Sequence, residues 1–364
     1  MKFIISNKSL KSALRKLKPI VPSKSVVPAL DNILMEADGG VLKLTCTDLE
    51  VTLIITLALE TPADKHGSAL VPFAWLNAIS NLENDQPVEF SFVKKSLTIT
   101  SMSDRFKQDG LVDPKKFPAL PELSNDLCVS IDREFVERLN VATLTCDTDD
   151  DKFVWKTKVN MEITASAVFI IGTNANVLYT YSFPVEAANL TECMLSHKVI
   201  NAISGFGQTS IFWNDKFIAF ESDNIKVIAT RPEGKYVNWR AAVPDYTPNL
   251  TIQRSYLLHG LAKIILANKS LCTLQINNDS GVTITANDAD MQREGTVNIP
   301  LEKPYTGDVE SISLSPSNLQ KMVNQVDYDE LMFSIHKADK AVIITNEEDK
   351  AYKGMIMPFS GAKA

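Results

Sequence analysis

The stretch LTCTDLEVTL (Leu44–Leu53) decides the fold, because its strand, turn and strand pattern returns twice later in the chain. The corresponding turn residues are Thr47-Asp48-Leu49-Glu50, Thr173-Asn174-Ala175-Asn176 and Asn287-Asp288-Ala289-Asp290. The turns are separated by 126 and 114 residues, roughly the length of a small domain. Self-similarity at such a period indicates a repeated structural unit. We therefore expect three copies of one domain in this chain of 364 residues.

Two predicted helices accompany each copy of the turn. The first helix opens with a polar residue, a cation and then an apolar residue that begins a helical period. These starts are Asn7-Lys8-Ser9-Leu10, Asp132-Arg133-Glu134-Phe135 and Gln253-Arg254-Ser255-Tyr256. The second helix follows a proline or a serine, as at Val71-Pro72, Leu195-Ser196 and Ser315-Pro316. Since Asn and Asp side chains accept bonds from free backbone N–H groups, we expect Asn7 and Asp132 to cap their helices.

Alternating apolar and polar residues fill the rest of each third. Hairpin patterns stand at VEFSFVKKSLTIT, SIFWNDKFIAFES and LMFSIHKADKAVIIT. Proline-containing joins lie at 117–126 and 243–250. The sequence therefore predicts an α+β fold with three repeated domains, 1–122, 123–246 and 247–364, each with two helices on one face of an antiparallel sheet.

The composition is that of a globular protein with 45% hydrophobic residues. The longest apolar stretch, Val51–Leu59, is too short to span a bilayer, and the start MKFIISNKSLKS lacks the features of a signal peptide. Five cysteines are scattered and form no CxxC pair. We therefore expect reduced thiols and a cytoplasmic protein.

The net charge of −7 disfavours a nucleic-acid partner, but the distribution of charge reverses that interpretation. Five windows have no Asp or Glu, namely 1–30, 69–82, 193–214, 246–278 and 311–326. They contain 12 of the 37 lysines and arginines and none of the 44 acidic residues. The windows fall on five of the six predicted helices. We therefore expect a basic helical layer and an acidic sheet layer, which together hold a polyanion on one surface.

No catalytic motif is present, and the four histidines have no metal-ligand spacing. Asp147, Asp149 and Asp151 have the spacing of the first calcium ligands of an EF-hand, but Lys152 and Lys158 replace its glycine and glutamate. We interpret 147–151 as an acidic loop and expect no catalysis, cofactor or metal. A metal-dependent hydrolase built on these carboxylates is the weakest alternative.

The order of elements and five short motifs resemble the bacterial DNA polymerase III β subunit, the sliding clamp. The motifs are MKFIIS at the start, TDLE at Thr47–Glu50, FPALPEL at Phe117–Leu123, GKYVNW at Gly234–Trp239 and MIMPF at Met355–Phe359. The resemblance covers essentially the whole chain. It implies a homodimer in which each chain forms half of a ring around double-stranded DNA, with helices inside and sheets outside. It also implies a processivity factor for DNA replication that tethers the DNA polymerase III catalytic subunit, the clamp loader and other proteins with clamp-binding motifs.

The resemblance further implies an apolar groove for partner peptides. Its residues would be Trp155, Thr173, Ala175, Val177, Leu178, Val237, Ala241, Ala242, Met355, Ile356, Met357, Pro358 and Phe359. The chain departs from the family there, since clamps usually have Thr-Asp-Gly-His-Arg-Leu at Thr173–Leu178, proline at Val237 and arginine near Ala241. A groove without these polar groups is expected to be more apolar and to form fewer hydrogen bonds with a peptide.

The densest basic run lies in the first predicted helix, where Lys8, Lys11, Arg15, Lys16 and Lys18 precede Lys24. A solvated helix face is the alternative, but the matching acid-free helices favour phosphate contacts, which are independent of base sequence and sensitive to salt. The expected DNA contacts are Lys8, Lys11, Arg15, Lys24, Lys152, Phe153, Lys198, Arg254, Lys263 and Lys321. The acidic loop beside Lys152 would repel phosphate. It leaves open a second hypothesis, a divergent clamp-fold module that binds proteins and does not load on DNA.

Family position also implies a subunit interface. Ile265 and Leu266 would form its apolar centre, opposite Phe106, Ala78 and Leu82. The alternative is that Ile265 and Leu266 belong to the core of their own helix. Ala78 is smaller than the aliphatic side chain expected at its position, which predicts a repacked contact.

Overall fold

The computed structural model describes residues 1–22, 25–82, 84–102, 104–123, 128–150, 152–187 and 190–359, without the side chain of Leu82. The chain divides into two compact units, Met1–Val136 with Lys198–Pro232 and Glu137–His197 with Glu233–Ala364. The division into domains at 122 and 246 differs from these units and stays a prediction. Within the described ranges, no helix is long and apolar enough to cross a membrane.

The described elements repeat one order three times: a strand, a helix, four strands, a helix and three strands. The strands are β1 (Lys2–Ser6), β2 (Asn32–Asp38), β3 (Val41–Thr47), β4 (Val51–Ala58), β5 (Gly67–Pro72), β6 (Pro87–Val93), β7 (Ser96–Ser101), β8 (Asp104–Asp109), β9 (Cys128–Ile131), β10 (Lys158–Ile163), β11 (Ala167–Thr173), β12 (Val177–Pro184), β13 (Thr191–Ser196), β14 (Thr209–Trp213), β15 (Phe217–Ser222), β16 (Ile225–Thr230), β17 (Leu250–Gln253), β18 (Cys272–Asn277), β19 (Gly281–Asp288), β20 (Arg293–Ile299), β21 (Ser311–Leu314), β22 (Glu330–Ser334), β23 (Val342–Thr345) and β24 (Tyr352–Ile356). The helices are α1 (Asn7–Leu17), α2 (Phe73–Leu82), α3 (Arg133–Thr143), α4 (His197–Ile203), α5 (Trp239–Ala242), α6 (Arg254–Ala267) and α7 (Pro316–Asn324). This order confirms the predicted α+β fold, and the single turn α5 is the helix that the sequence did not predict.

Two antiparallel sheets form the first unit. Their strand orders are β1-β6-β7-β8 and β5-β2-β3-β4-β16-β15-β14-β9. The opening stretch is the hairpin of β3 and β4, in which Thr47 stands opposite Thr52. β4 then pairs with β16, so that Leu53 lies opposite Val227 and both are fully buried. The motif therefore lies at the centre of the larger sheet.

Helix α1 packs through one apolar stripe. Its buried apolar residues are Leu10, Ala13, Leu14 and Leu17, which recur at three- and four-residue spacing. The predicted cap at Asn7 is wrong, because the hydroxyl of Ser6 accepts the N–H of Ser9 at 3.4 Å. Asn7 is instead buried and donates its side-chain amide to the carbonyl of Ser80 at 3.0 Å. The predicted cap at Asp132 is confirmed, since its carboxylate accepts the N–H of Phe135 at 3.4 Å.

Two further antiparallel sheets form the second unit, in the orders β13-β10-β11-β12-β24-β23-β22-β17 and β20-β19-β18-β21. On one face of the larger sheet, Gly172, Tyr179 and Gly354 lie in one row across β11, β12 and β24. A Cβ atom at Gly172 would come within 2.3 Å of the carbonyl oxygen of Ala142 in α3, so this close approach requires glycine. This face is therefore the helix-packed face of the sheet.

Candidate functional site

Two copies of the repeated turn have the same hydrogen bonds. In each, a threonine hydroxyl donates to the carbonyl four residues later and accepts the N–H two residues later, at 3.1 and 3.1 Å for Thr47 and at 2.6 and 3.1 Å for Thr173. The third residue has positive φ in both turns, 79° at Leu49 and 76° at Ala175. In the third copy Asp288 accepts the N–H of Met291 at 3.0 Å in a longer turn. The repeated motif is therefore a hairpin device that sets the register of the central strands.

An apolar cluster covers the other face of the larger sheet in the second unit. Its buried members are Ile171, Leu178, Met194, Tyr236, Ala341, Ile343 and Met355. Met355 pairs with Leu178 on one side and with Ile343 on the other, so these three side chains share a face. Trp155 and Val237 are partly buried against the cluster. We call the group of Trp155, Leu178, Val237 and Met355 the apolar groove; Trp155 and Val237 form its accessible part, above Leu178 and Met355, which are 1% and 4% exposed.

Val177 and Ile356 do not lie on this surface. They stand opposite each other in β12 and β24, one residue away from Leu178 and Met355. Successive side chains of a strand point to opposite faces, so both belong to the helix-packed face. Val177 and Ile356 therefore face away from Trp155 and Val237, the half-buried residues that pack against the apolar cluster. The family resemblance therefore grouped residues that lie on opposite faces of the sheet, because side chains in a strand alternate between the two faces.

The remaining predicted groove residues lie outside the apolar cluster. Thr173 is buried, and its hydroxyl donates within its own turn. Ala175 is exposed at the tip of that turn, and Ala241 and Ala242 are exposed on α5. Asn238 starts α5 because its side-chain oxygen accepts the N–H of Ala241 at 3.4 Å. These residues therefore offer small exposed surfaces and no side-chain donor for a peptide.

The segment after β24 presents apolar side chains at the surface. The N–H of Met357 donates to the carbonyl of Asn176 at 2.8 Å, and the N–H of Phe359 donates to Ser313 at 2.9 Å. Met357, Pro358 and Phe359 line a cleft of about 420 Å³ that also includes Asn176. Phe359 is 46% exposed although its backbone is fixed. The tail therefore offers apolar side chains, held on a fixed backbone, that a partner could contact.

The sequence did not single out five residues of the cluster: Ile171, Met194, Tyr236, Ala341 and Ile343. Three of them lie in strands that read as ordinary buried segments, and Tyr236 stands inside the motif GKYVNW. Its hydroxyl donates to the carbonyl of Ile171 at 3.3 Å, and its ring meets Trp155 edge-on with centroids 6.1 Å apart. Burial raises the pKa of Tyr236 well above its ordinary value, so the hydroxyl stays neutral. The groove therefore carries no charge of its own.

The basic residues of α1 lie on its polar side. Lys8, Arg15, Lys16 and Lys18 are exposed, whereas Lys11 is half-buried and forms an ion pair with Asp85 at 3.3 Å. Lys8 and Arg15 are seven residues apart and therefore share one face of the helix. The described part of α1 contains no acidic residue.

The other predicted cations are held in different ways. Lys263 and Lys321 are exposed on α6 and α7. Arg254 is half-buried and donates from Nε to the carbonyl of Val323 at 3.0 Å. Lys198 forms an ion pair with Asp48, a residue of the repeated turn. Lys24 lies outside the described residues.

Two described carboxylates of the acidic loop, Asp147 and Asp150, contact other side chains, whereas Asp149 is exposed. Asp147 accepts the side-chain amide of Asn174 at 3.1 Å, and Asp150 forms an ion pair with Lys156 at 3.3 Å. The N–H of Phe153 and the Lys156 ammonium hold the pKa of Asp150 below its ordinary value. Asp151 lies outside the described residues, and Lys152 and Phe153 are exposed. The part of the loop that the structure describes is therefore less repulsive than its sequence indicates.

The predicted interface residues are at the surface wherever their side chains are described. Leu266 is 73% exposed, Ala78 is exposed, and Ile265 and Phe106 are half-buried. Phe106 lies on β8, the edge strand of its sheet. The side chain of Leu82 is not among those that the structure describes. The exposure of Leu266 disagrees with the alternative that it is a core residue.

Comparisons with known proteins agree with this fold. The family model described as DNA polymerase III beta subunit, N-terminal domain, matches residues 1–121. The beta sliding clamp of Chlamydia muridarum is 24% identical over 341 residues, covering 87% of each chain. The sliding clamp of Bacillus subtilis superposes with a TM-score of 0.90 at 17% identity over 100% of both chains. The Helicobacter pylori beta clamp bound to a DNA ligase peptide superposes with a TM-score of 0.89 at 15% identity, over 99% of this chain and 100% of that one.

The match to the family model, the relatives along most of the chain and the three copies of one element order agree with one another. The first third of the chain matches the N-terminal domain of the DNA polymerase III beta subunit family, and along most of its length the chain is similar to the beta sliding clamps, as a divergent relative.

Proposed function

We propose that the protein is a DNA sliding clamp, a ring-forming processivity factor that encircles duplex DNA and tethers replication proteins. The observation that carries the proposal is the exposed face of α1, which presents cations and, among its described residues, no acid. Contacts from such a face to phosphate are independent of sequence and individually weak. A closed ring keeps DNA bound under these conditions because its dissociation requires opening of the ring or passage over an end.

The test is retention on DNA of defined topology. The clamp is loaded on nicked circular DNA, which is then washed and cut once with a restriction enzyme. Retention on the circle and loss after cutting support encirclement, whereas equal loss from both forms overturns it. A clamp-fold module that does not load on DNA would give no retention on either form.

We infer that partner peptides dock in the apolar groove and against the tail formed by Met357, Pro358 and Phe359. A groove of this kind recognises large apolar anchors, and its neutral lining gives little dependence on salt. The Helicobacter pylori relative is bound to a DNA ligase peptide, which supports such a role here. A panel of synthetic ten-residue peptides from the replication proteins of the same cell, measured by fluorescence anisotropy, tests this inference. If no peptide of the panel binds, the groove is not a docking site.

We further propose that the chain acts as a cytoplasmic homodimer without catalytic activity. Each chain carries three copies of the repeat, and two-fold association would supply six for a closed ring. The surface positions of Leu266 and Phe106 are compatible with such a contact. Sedimentation velocity at micromolar concentration tests the assembly, and a monomer under all conditions would contradict it.

A further inference from the structure

A second pocket lies on the same face of the sheet as the apolar groove. It has a volume of about 260 Å³, and its walls include Phe169, Trp239, Ser182, Lys350 and Lys353. Thr180 and Ser182 follow Leu178 at alternate positions of β12, so the pocket continues the groove along one strand. Because a strand rises about 3.3 Å per residue, the pocket begins roughly 7 Å from Leu178. One extended peptide can therefore reach both places.

The aromatic wall of this pocket is held in place by an ion pair. The guanidinium of Arg240 lies over the rings of Trp239 and Phe169, at 4.3 and 4.9 Å from their centroids. The same guanidinium donates to both carboxylate oxygens of Glu162, at 2.7 and 3.0 Å. Arg240 thus stabilises the wall while its charge is balanced. The net charge at the pocket comes from other residues.

That charge comes from two lysines. Lys350 is exposed and Lys353 is half-buried, and both line the pocket. None of the described residues that line it is acidic. Ser182 lies in the same wall. A pocket lined by aromatic residues, two lysines and a serine complements a short side chain that ends in a negatively charged oxygen.

We propose that this second pocket binds an aspartate or glutamate side chain of the same partner peptide that docks in the apolar groove. The inference rests on the proposed function of the groove and adds the class of peptide that it selects. The carboxylate stands two to four residues from the apolar anchor at Leu178, because the pocket extends from Thr180 to Ser182 along β12. Binding of such a peptide depends on salt, whereas binding of a neutral peptide does not.

A charge-matched peptide pair tests the proposal. The tightest peptide of the panel described above is extended at either end by four residues that contain Asp-Asp or, in the control, Asn-Asn. Both peptides are titrated against the wild type, against the double variant Lys350→Gln/Lys353→Gln and against Lys337→Gln, an exposed lysine elsewhere in the same unit. We expect one acidic extension to bind the wild type about 5-fold more tightly than its Asn-Asn partner at low salt. The double variant should lose this preference, and Lys337→Gln should keep it.

The outcomes separate this proposal from the groove itself. If the Asn-Asn peptides bind and neither acidic extension improves binding, the second pocket does not take a carboxylate and only the present inference fails. The inference also fails if the acidic preference survives in the double variant. If no peptide of the panel binds the wild type at all, both the groove and the second pocket are overturned.

Discussion

Replacing Phe359 by alanine tests the contribution of the tail to peptide binding. Phe359 is 46% exposed, so about half of its surface is available for a partner to cover. A phenylalanine contributes roughly 200 Å² of surface, so that a bound peptide would remove about 90 Å² from water. At about 25 cal/mol per Å², this burial is worth about 2 kcal/mol, or about a 30-fold weaker Kd in Phe359→Ala.

The assay is fluorescence anisotropy with the tightest panel peptide, at low and at high salt. We expect the loss to be the same at both salt concentrations because the contact is apolar. Leu190→Ala is the matched control, since Leu190 is a 66% exposed apolar residue outside the groove and the tail. Thermal unfolding of both variants checks that the fold is intact. An unchanged Kd in Phe359→Ala, with a Kd in Leu190→Ala equal to that of the wild type, would refute the assignment of the tail.

Three further predictions concern other parts of the chain. Reversing Lys8 and Arg15 to glutamate should weaken retention on DNA and flatten the log–log salt dependence by about 0.9 for each lost phosphate contact, and an unchanged slope would place α1 away from DNA. Leu266→Asp should convert dimers to monomers in sedimentation velocity without unfolding the chain, because the side chain is 73% exposed; a dimer that persists would exclude Leu266 from the interface. Ala175→Gly should raise the free energy of unfolding by about 0.5 kcal/mol, because relief of about 1–2 kcal/mol of strain at φ 76° exceeds the entropy that glycine adds to the unfolded chain. A lower denaturation midpoint for that variant would contradict this account.

The strongest predictions from the sequence were those that rest on local periodicity. The starts near Leu10, Phe135 and Tyr256 all lie in helices, because an apolar stripe at helical spacing specifies its own structure. The three hairpins were predicted for the same reason. Alternation of apolar and polar residues on both sides of a polar turn depends only on residues that are close together in the chain. The cap of α1 was missed by one residue, because Ser6 and Asn7 are both good caps and a contact between Asn7 and Ser80, distant in sequence, decided between them.

The candidate site was predictable only in part. Family position grouped Trp155, Leu178, Val237 and Met355, and the structure gathers them on one face; their role as a peptide groove stays a prediction. Val177, which family position grouped with them, lies on the opposite face, because resemblance by position does not state which face of a strand a residue occupies. The ion pairs could not be predicted from the sequence either. Lys198, for example, pairs with Asp48, which lies 150 residues away in the chain.

The sequence by itself determined the repeat, the helices and hairpins of each copy and the acid-free composition of α1, because each depends on residues close together in the chain. The tertiary structure alone decided which side chains share a surface. Strands distant in sequence, such as β12 and β24, pair with a register that sets Leu178 beside Met355, and the pleat then assigns each neighbour to the opposite face. The same pairing placed Lys353 of β24 beside Thr180 and so formed the second pocket. Local sequence patterns cannot predict such a pocket, because the pocket forms only when strands distant in sequence pair with one another.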